Sequence, residues 1–155
     1  MKIITFGDIH DGTLNLIRLA SEFENADKII FVGDGARSLE VLDKSARRKL
    51  VAVHGNCDFF SRLPLEVFVD GIFVTHGHKY GAKGGSDALV AAAKARGAKL
   101  CLFGHNHMPS HVVTDGIVFV NPGSLGRRRT HVPNSYAVVT FCGEEISVDL
   151  KTIAI

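Results

Sequence analysis

Five apolar runs of strand length, at residues 3–6, 29–32, 50–53, 72–75 and 100–103, each stop at a short polar cluster. The clusters are Asp8-Ile9-His10, Gly33-Asp34, Gly55-Asn56-Cys57-Asp58, His76-Gly77-His78 and Gly104-His105-Asn106-His107. The runs have the length and β-branched content of strands buried on both faces. Polar groups that recur where such strands end gather along one edge of a sheet. In open α/β sheets that edge is where loops from several strands converge on a ligand.

The segments between the runs set the architecture. Residues 14–23 carry Leu16, Ile17, Leu19, Ala20 and Phe23 at helical spacing, and a weaker helical stretch covers 38–48. The first three strands therefore read as a βαβαβ unit with parallel pairing. Beyond Pro64 the pattern changes to hairpins. Residues 65–69 and 72–75 flank Asp70-Gly71, residues 112–113 and 117–120 flank Asp115-Gly116, and residues 136–141 and 146–150 flank Cys142-Gly143. An alanine-rich helix is predicted over 85–97, stopped by glycine and followed by a strand at 99–103. Mixed parallel and antiparallel strands with three helical segments predict an α/β fold of two packed mixed β-sheets flanked by helices. The expected form is a four-layer α/β/β/α sandwich in one domain over residues 1–155.

A chain of 155 residues can bury enough surface to fold without disulfides. Cys57, Cys101 and Cys142 are an odd set at spacings unlike a zinc knuckle or a disulfide framework, so reduced thiols are expected. The chain lacks the apolar core and cleavage site of a signal peptide, and its apolar stretches are too short to span a bilayer. A cytoplasmic location without a membrane partner is the expectation. A net charge of +2 spread along the chain gives no general case for nucleic acid, and Arg127-Arg128-Arg129 is a local basic run.

Carboxylate, carboxamide and imidazole donors dominate the clusters, without paired cysteines. Such a set suits borderline divalent cations better than a structural thiolate zinc. Asp8 and His10 are two residues apart, as are His105 and His107, so in extended backbone each pair points the same way. Polar side chains after five separate strands have no packing rationale, because burying them costs free energy unless they are partnered. Cys57 and Ser124 sit in no recognisable nucleophile elbow. Gly81, Gly84 and Gly85 lack the spacing of a phosphate-binding loop and read as a flexible loop after His78.

The order D-x-H, G-D, G-N-C-D, H-G-H, G-H-x-H and then Asn121-Pro122-Gly123-Ser124 resembles that of the calcineurin-like metallophosphoesterases, specifically their small single-domain phosphodiesterase branch. The resemblance covers nearly the whole chain and implies a metallophosphatase-like fold with two divalent metal ions per chain. It implies that Asp8, His10, Asp34 and His107 hold one ion, that Asp34, Asn56, His76 and His105 hold the other, and that Asp34 bridges them. Manganese is the foremost expectation, with nickel, zinc, iron and magnesium as alternatives. The implied reaction is in-line attack by a metal-bridging hydroxide on the phosphorus of a phosphate ester, with a phosphodiester preferred over a phosphomonoester. A non-catalytic metal-binding scaffold is the rival of another class, since the retromer scaffold subunit resembles this branch in fold and has lost some of the ligands. Asp34, Asn56 and His78 are the expected catalytic positions. Asn56, Cys57, His78 and Arg127 are the expected substrate contacts.

Some positions depart from the pattern. Many larger members have histidine after the motif asparagine, where it helps to protonate the leaving group; here that residue is Cys57, expected as a small buried side chain. His78 is expected to touch substrate and orient His76, and Asp58 to orient His10 or cap a turn. Asp11 replaces a frequent glycine and is expected in a solvated turn or as a helix N-cap, while Asn106 replaces a usual threonine. The turn at Asn121 to Ser124 is expected to bring backbone toward the metals. Arg127, Arg128 and Arg129 read equally as phosphate contacts or as a solvated run. Exposed hairpin edges leave a homodimer or higher homo-oligomer open.

Overall fold

In the computed structural model, which describes residues 1–82, 87–126 and 131–153, the central strands are buried on both faces. Strands β1 (Lys2–Phe6), β2 (Lys28–Phe31) and β3 (Leu50–Ala52) pair in parallel, as the βαβαβ pattern predicts. Next come β4 (Glu66–Val69), β5 (Ile72–Thr75), β6 (Leu100–Leu102), β7 (Ser110–Thr114), β8 (Ile117–Asn121), β9 (Ser135–Cys142) and β10 (Glu145–Thr152). They complete two mixed sheets, with strand orders β10-β9-β1-β2-β3 and β4-β5-β6-β8-β7.

Alternation along each strand divides the core into three. Ile3, Ile30 and Val32 point between the sheets, where they meet Ile72, Val74, Leu100 and Leu102 of the second sheet. Ile4, Phe6, Ile29 and Phe31 point outward, against Leu16, Leu19 and Phe23. Phe73 and Cys101 point to the opposite outer face, against Leu89 and Ala93. Each fully buried side chain of this size contributes about 1.5–3 kcal/mol, so the period-two pattern fixes the register of both sheets.

The helices differ from the sequence reading in detail. Helix α1 (Thr13–Leu19) gives way to a 3-10 segment at Ala20–Asn25. Leu16, Leu19 and Phe23 form its inner face, while Ile17, expected in the core, falls off that face and is exposed. The stretch over 38–48 is broken into a 3-10 segment, Ala36–Val41, and a short α2 (Lys44–Lys49). Asp43 causes the break: its side chain accepts a bond from the Ala46 N–H at 2.8 Å, which requires extended rather than helical backbone at Asp43 itself. Helix α3 (Asp87–Ala95) is followed by Gly97 in left-handed conformation. The predicted helix start at Gly85 and the loop glycines Gly84 and Gly85 lie outside the described residues. Among the described residues no helix is long and apolar enough to cross a membrane.

Candidate metal centre

The loop after β1 does not stay extended. Asp8 and His10 have φ of 46° and 45°, and they flank Ile9, whose side chain is fully buried and anchors the loop. The Asp8 N–H donates to Gly33 O and the Ile9 N–H to Asp34 O, both at 2.8 Å, so this loop is laced to the loop after β2. Asp8 and His10 therefore share a direction, but through two left-handed residues rather than through strand alternation. Asp34, His105 and His107 are left-handed as well, with φ of 62°, 76° and 61°. Left-handed aspartate and histidine are strained, and such strain concentrates at functional sites.

These turns bring the donors into two groups. His10 Nε2 and His107 Nε2 lie 3.3 Å apart, and Asp8 Oδ1 is 3.2 Å from His107 Nε2 and 3.8 Å from His10 Nε2. Asp8 is fully buried, and its Oδ1 has no hydrogen-bond partner among the described residues. On the other side, His76 Nδ1 lies 2.8 Å from the Val32 carbonyl, which only accepts, so Nδ1 carries the proton. Its Nε2 then faces Asn56 Oδ1 at 3.0 Å and Asp34 Oδ2 at 3.4 Å. A lone pair aimed at two oxygen acceptors is stable only with positive charge between them, either a proton or a metal ion. Asp34 Oδ2 is also 3.9 Å from His10 Nε2, which puts this carboxylate between the two groups.

The electrostatics agree with a cation site. Burial pushes the Asp34 carboxyl up, but the hydrogen bond and charge of His76, with the Cys57 N–H, hold it below the usual carboxylate range. Burial pushes His76 down, yet the Asp34 hydrogen bond and the charges of Asp8 and Asp34 raise it above its ordinary value. Among the described residues, the sets of donors within 4.8 Å of one another include Asp8–His10–His107, His10–Asp34–Cys57 and Asp8–Asp34–His76. An arrangement with an orphaned buried carboxylate oxygen, facing imidazole nitrogens and a mixed oxygen–nitrogen donor set fits borderline divalent ions.

A supporting layer holds the donors. The Asp58 carboxylate accepts four backbone N–H bonds, from Asp34 and Gly55 to Oδ2 at 2.9 and 2.8 Å and from Gly35 and Ala36 to Oδ1 at 2.9 Å each. It caps turns, as one of its expected roles required, and clamps the Asp34 loop to the Asn56 loop rather than contacting His10. Gly55 must be glycine for a close approach, since a Cβ there would collide with Asp34 Oδ1. The Asn121 side chain donates to Gly104 O and Asn106 Oδ1 at 3.1 and 2.8 Å, which gives Asn106 a structural job. Ser124 Oγ donates to Asp8 O at 2.8 Å, so the turn from Asn121 to Ser124 buttresses the first ligand loop from behind.

Other expectations change. Cys57, expected as buried, is exposed: its backbone N–H is spent on Asp34 Oδ1 at 2.8 Å, which turns the side chain outward. Asp11 lies exposed in the turn before α1, one of its two expected places, and does not cap the helix, whose N-cap position is Gly12 without a side-chain bond. His105 brings its ring to 5.1 Å from His76 and its N–H to Asp8 Oδ2 at 3.0 Å. His78 stands beside both, its centroid 5.4 Å from His76 and 6.2 Å from His105. Burial first, then the charges of His76, His105, Lys79 and His54, lower its proton affinity and favour the neutral imidazole. His54, which the sequence reading passed over, packs 6.3 Å from His78; its position directly before Gly55-Asn56 was the available signal. Arg127, Arg128 and Arg129 lie outside the described residues.

Residues 1–144 match the family model described as a calcineurin-like phosphoesterase superfamily domain. The chain is 31% identical over 153 residues to the probable metallophosphoesterase YsnB of Bacillus subtilis, covering 96% of this chain and 89% of that one. A crystal structure of a predicted phosphoesterase from Streptococcus pneumoniae superimposes with a TM-score of 0.83 at 29% identity, over 97% of this chain and 88% of the other. Vps29 of Entamoeba histolytica in complex with zinc shares the fold, with a TM-score of 0.75 at 22% identity, over 99% and 98% of the two chains.

Proposed function

We propose, since the chain belongs to the calcineurin-like phosphoesterase superfamily, that residues 1–155 are a single domain that hydrolyses phosphate esters with two divalent ions, manganese foremost, and acts on phosphodiesters. The observation that carries the reading is the position of Asp34, whose Oδ2 is 3.4 Å from His76 Nε2 and 3.9 Å from His10 Nε2. One carboxylate between two imidazole groups is suited to bridging. Asp8, His10, Asp34 and His107 would hold one ion, and Asp34, Asn56, His76 and His105 the other.

Ions bound there supply Lewis acidity toward phosphoryl oxygens and lower the pKa of water. The chain's own part is orientation. Asp58 and the Cys57 N–H fix the Asp34 carboxylate, and the Val32 carbonyl fixes the tautomer of His76. Two carboxylates with neutral imidazoles leave the occupied centre net positive, which attracts an anionic ester. Among the described residues, Asp8 and Asp34 form ion pairs with histidines alone. His78, neutral and facing the same space, is positioned to hold a substrate oxygen by a hydrogen bond, and Asn56 lies exposed at the mouth.

The test is hydrolysis of bis(p-nitrophenyl) phosphate and p-nitrophenyl phosphate by chelator-stripped protein, with Mn²⁺, Ni²⁺, Zn²⁺ or Mg²⁺ restored singly. Metal-dependent turnover, faster on the diester and abolished by Asp34→Asn, is expected. Two bound ions without turnover of either ester would overturn the enzyme reading in favour of a scaffold.

A further inference from the structure

Next to the metal centre lies a groove of about 730 Å³, within the usual range for small-molecule sites. Its lining includes Arg37, Leu39, Cys57, Phe59 and Phe60. Phe59 and Phe60 are 83% and 100% exposed, an adjacent aromatic pair that the hydrophobic effect would place in the core if it had no other use. Their exposure is imposed by the loop. The Asp58 N–H donates to Gly55 O at 3.3 Å, the Ser61 N–H to Asp58 O at 3.1 Å, and the Leu63 N–H to Ser61 Oγ at 3.1 Å. Asp58 in turn is tied to the Asp34 loop, so the segment that orders the centre also presents the two rings.

The groove is continuous with the centre. Cys57 lines it, and Cys57 Sγ lies within 4.8 Å of donor atoms of His10 and Asp34. Its charge suits an anion. Arg37 is exposed and makes no ion pair or hydrogen bond among the described residues, whereas the Arg47 guanidinium is occupied by the Leu42 and Glu40 carbonyls. An aromatic shelf, a free guanidinium and a phosphate-binding centre in succession match a nucleotide ester, a planar ring joined to phosphate through a short polar linker.

We propose that this groove binds the nucleoside portion of a nucleotide phosphodiester, with its base against Phe59 and Phe60 and Arg37 toward the phosphate; this rests on the phosphoesterase reading above. The substrate class is thereby narrowed from phosphodiesters to those carrying a planar aromatic ring. Alkyl diesters leave the shelf empty.

The experiment is calorimetric titration of the manganese-supplied protein with thymidine 5′-phosphate and with methyl phosphate, the monoester products that a nucleotide diester and an alkyl diester would leave at the centre, which differ only beyond the phosphate. The wild-type protein is expected to bind the nucleotide at least about ten-fold more tightly, as one stacked base provides. The double variant Phe59→Ala with Phe60→Ala should bring that ratio close to one, with an unchanged melting temperature because both rings are exposed. Equal affinities in the wild type, or a preference that survives in the variant, would overturn the proposal. Hydrolysis of bis(p-nitrophenyl) phosphate, measured alongside, reads the enzyme assignment separately. Nucleotide preference without hydrolysis supports the groove while removing the phosphoesterase reading, and hydrolysis without nucleotide preference does the reverse.

Discussion

Asp58→Asn is the substitution that most directly tests how the centre is held together. The carboxylate accepts four backbone N–H groups, two on each oxygen, from residues 34–36 and from Gly55. An asparagine keeps one acceptor oxygen and sets an NH₂ where the other stood. Two N–H groups then lose their acceptor and face a donor. Hydrogen bonds to a charged group contribute about 1.5–3 kcal/mol each, so the gross loss is about 3–6 kcal/mol. Asp58 is half-buried, and entering water recovers part of this, leaving roughly 2–3 kcal/mol. In a domain of this size that lowers the melting temperature by roughly 5–10 °C. Circular dichroism of the chelator-stripped protein reads the shift, and calorimetric titration with Mn²⁺ reads the accompanying loss of affinity as the Asp34 and Asn56 loops decouple. Asp43→Asn is the control. It changes the same atoms at a helix N-cap, where asparagine serves as well as aspartate, and should be close to neutral. A drop of less than about 2 °C for Asp58→Asn, or equal drops for the two variants, would refute the clamp.

Two further outcomes follow from the same geometry. Metal-free protein should lose stability as pH rises above about 6.5, because His76 is raised in the folded state: its contribution is full below the ordinary value of 6.5 and is lost as pH climbs through the folded value. Asp34, lowered in the folded state, acts oppositely and only in acid, its contribution being present above its ordinary value of 3.8 and lost as pH falls below it. Chemical denaturation of the stripped protein at pH 6 and pH 8 checks this, and a higher midpoint at pH 8 would count against the assigned proton. Gly55→Ala should weaken Mn²⁺ binding by more than about ten-fold, since the added methyl lies 2.6 Å from the Asp34 backbone N and collides with its carboxylate; unchanged affinity by titration would show that the loop yields freely.

The strands and their pairing were legible because they are buried on both faces, and a run such as Ile29 to Val32 can satisfy two cores only as a strand. The hairpins were legible because Asp70-Gly71, Asp115-Gly116 and the Gly143 turn supply residues that tolerate positive φ. The second helix was misjudged because periodicity carries no information about a cap inside it. Asp43 three residues before Ala46 was the cue. Ile17 was misplaced for a related reason: apolar residues in a short helix do not all share its buried side.

The donor residues could be read from their order along the chain, but not their geometry, and the reason is physical. Asp58 acts across 22 to 24 residues of sequence by bonding backbone, and such a contact leaves no trace in residue spacing. The left-handed turns at Asp8, His10, Asp34, His105 and His107 oppose local preference, and a reading built on strand alternation assumes the opposite. Each such residue stores strain of order 1 kcal/mol or more. Added to this is an electrostatic cost: a fully buried carboxylate oxygen at Asp8 that accepts no hydrogen bond among the described residues. Among the described residues, the other non-glycine positions with positive φ, Asp70 and Asp115, sit in hairpin turns that call for it, whereas here local and global preferences conflict at five residues drawn from three loops. Positive charge among the gathered donor atoms offsets the electrostatic part of this cost, so divalent ions that bind there should stabilise the folded protein, by an amount that grows with ion concentration relative to the dissociation constant.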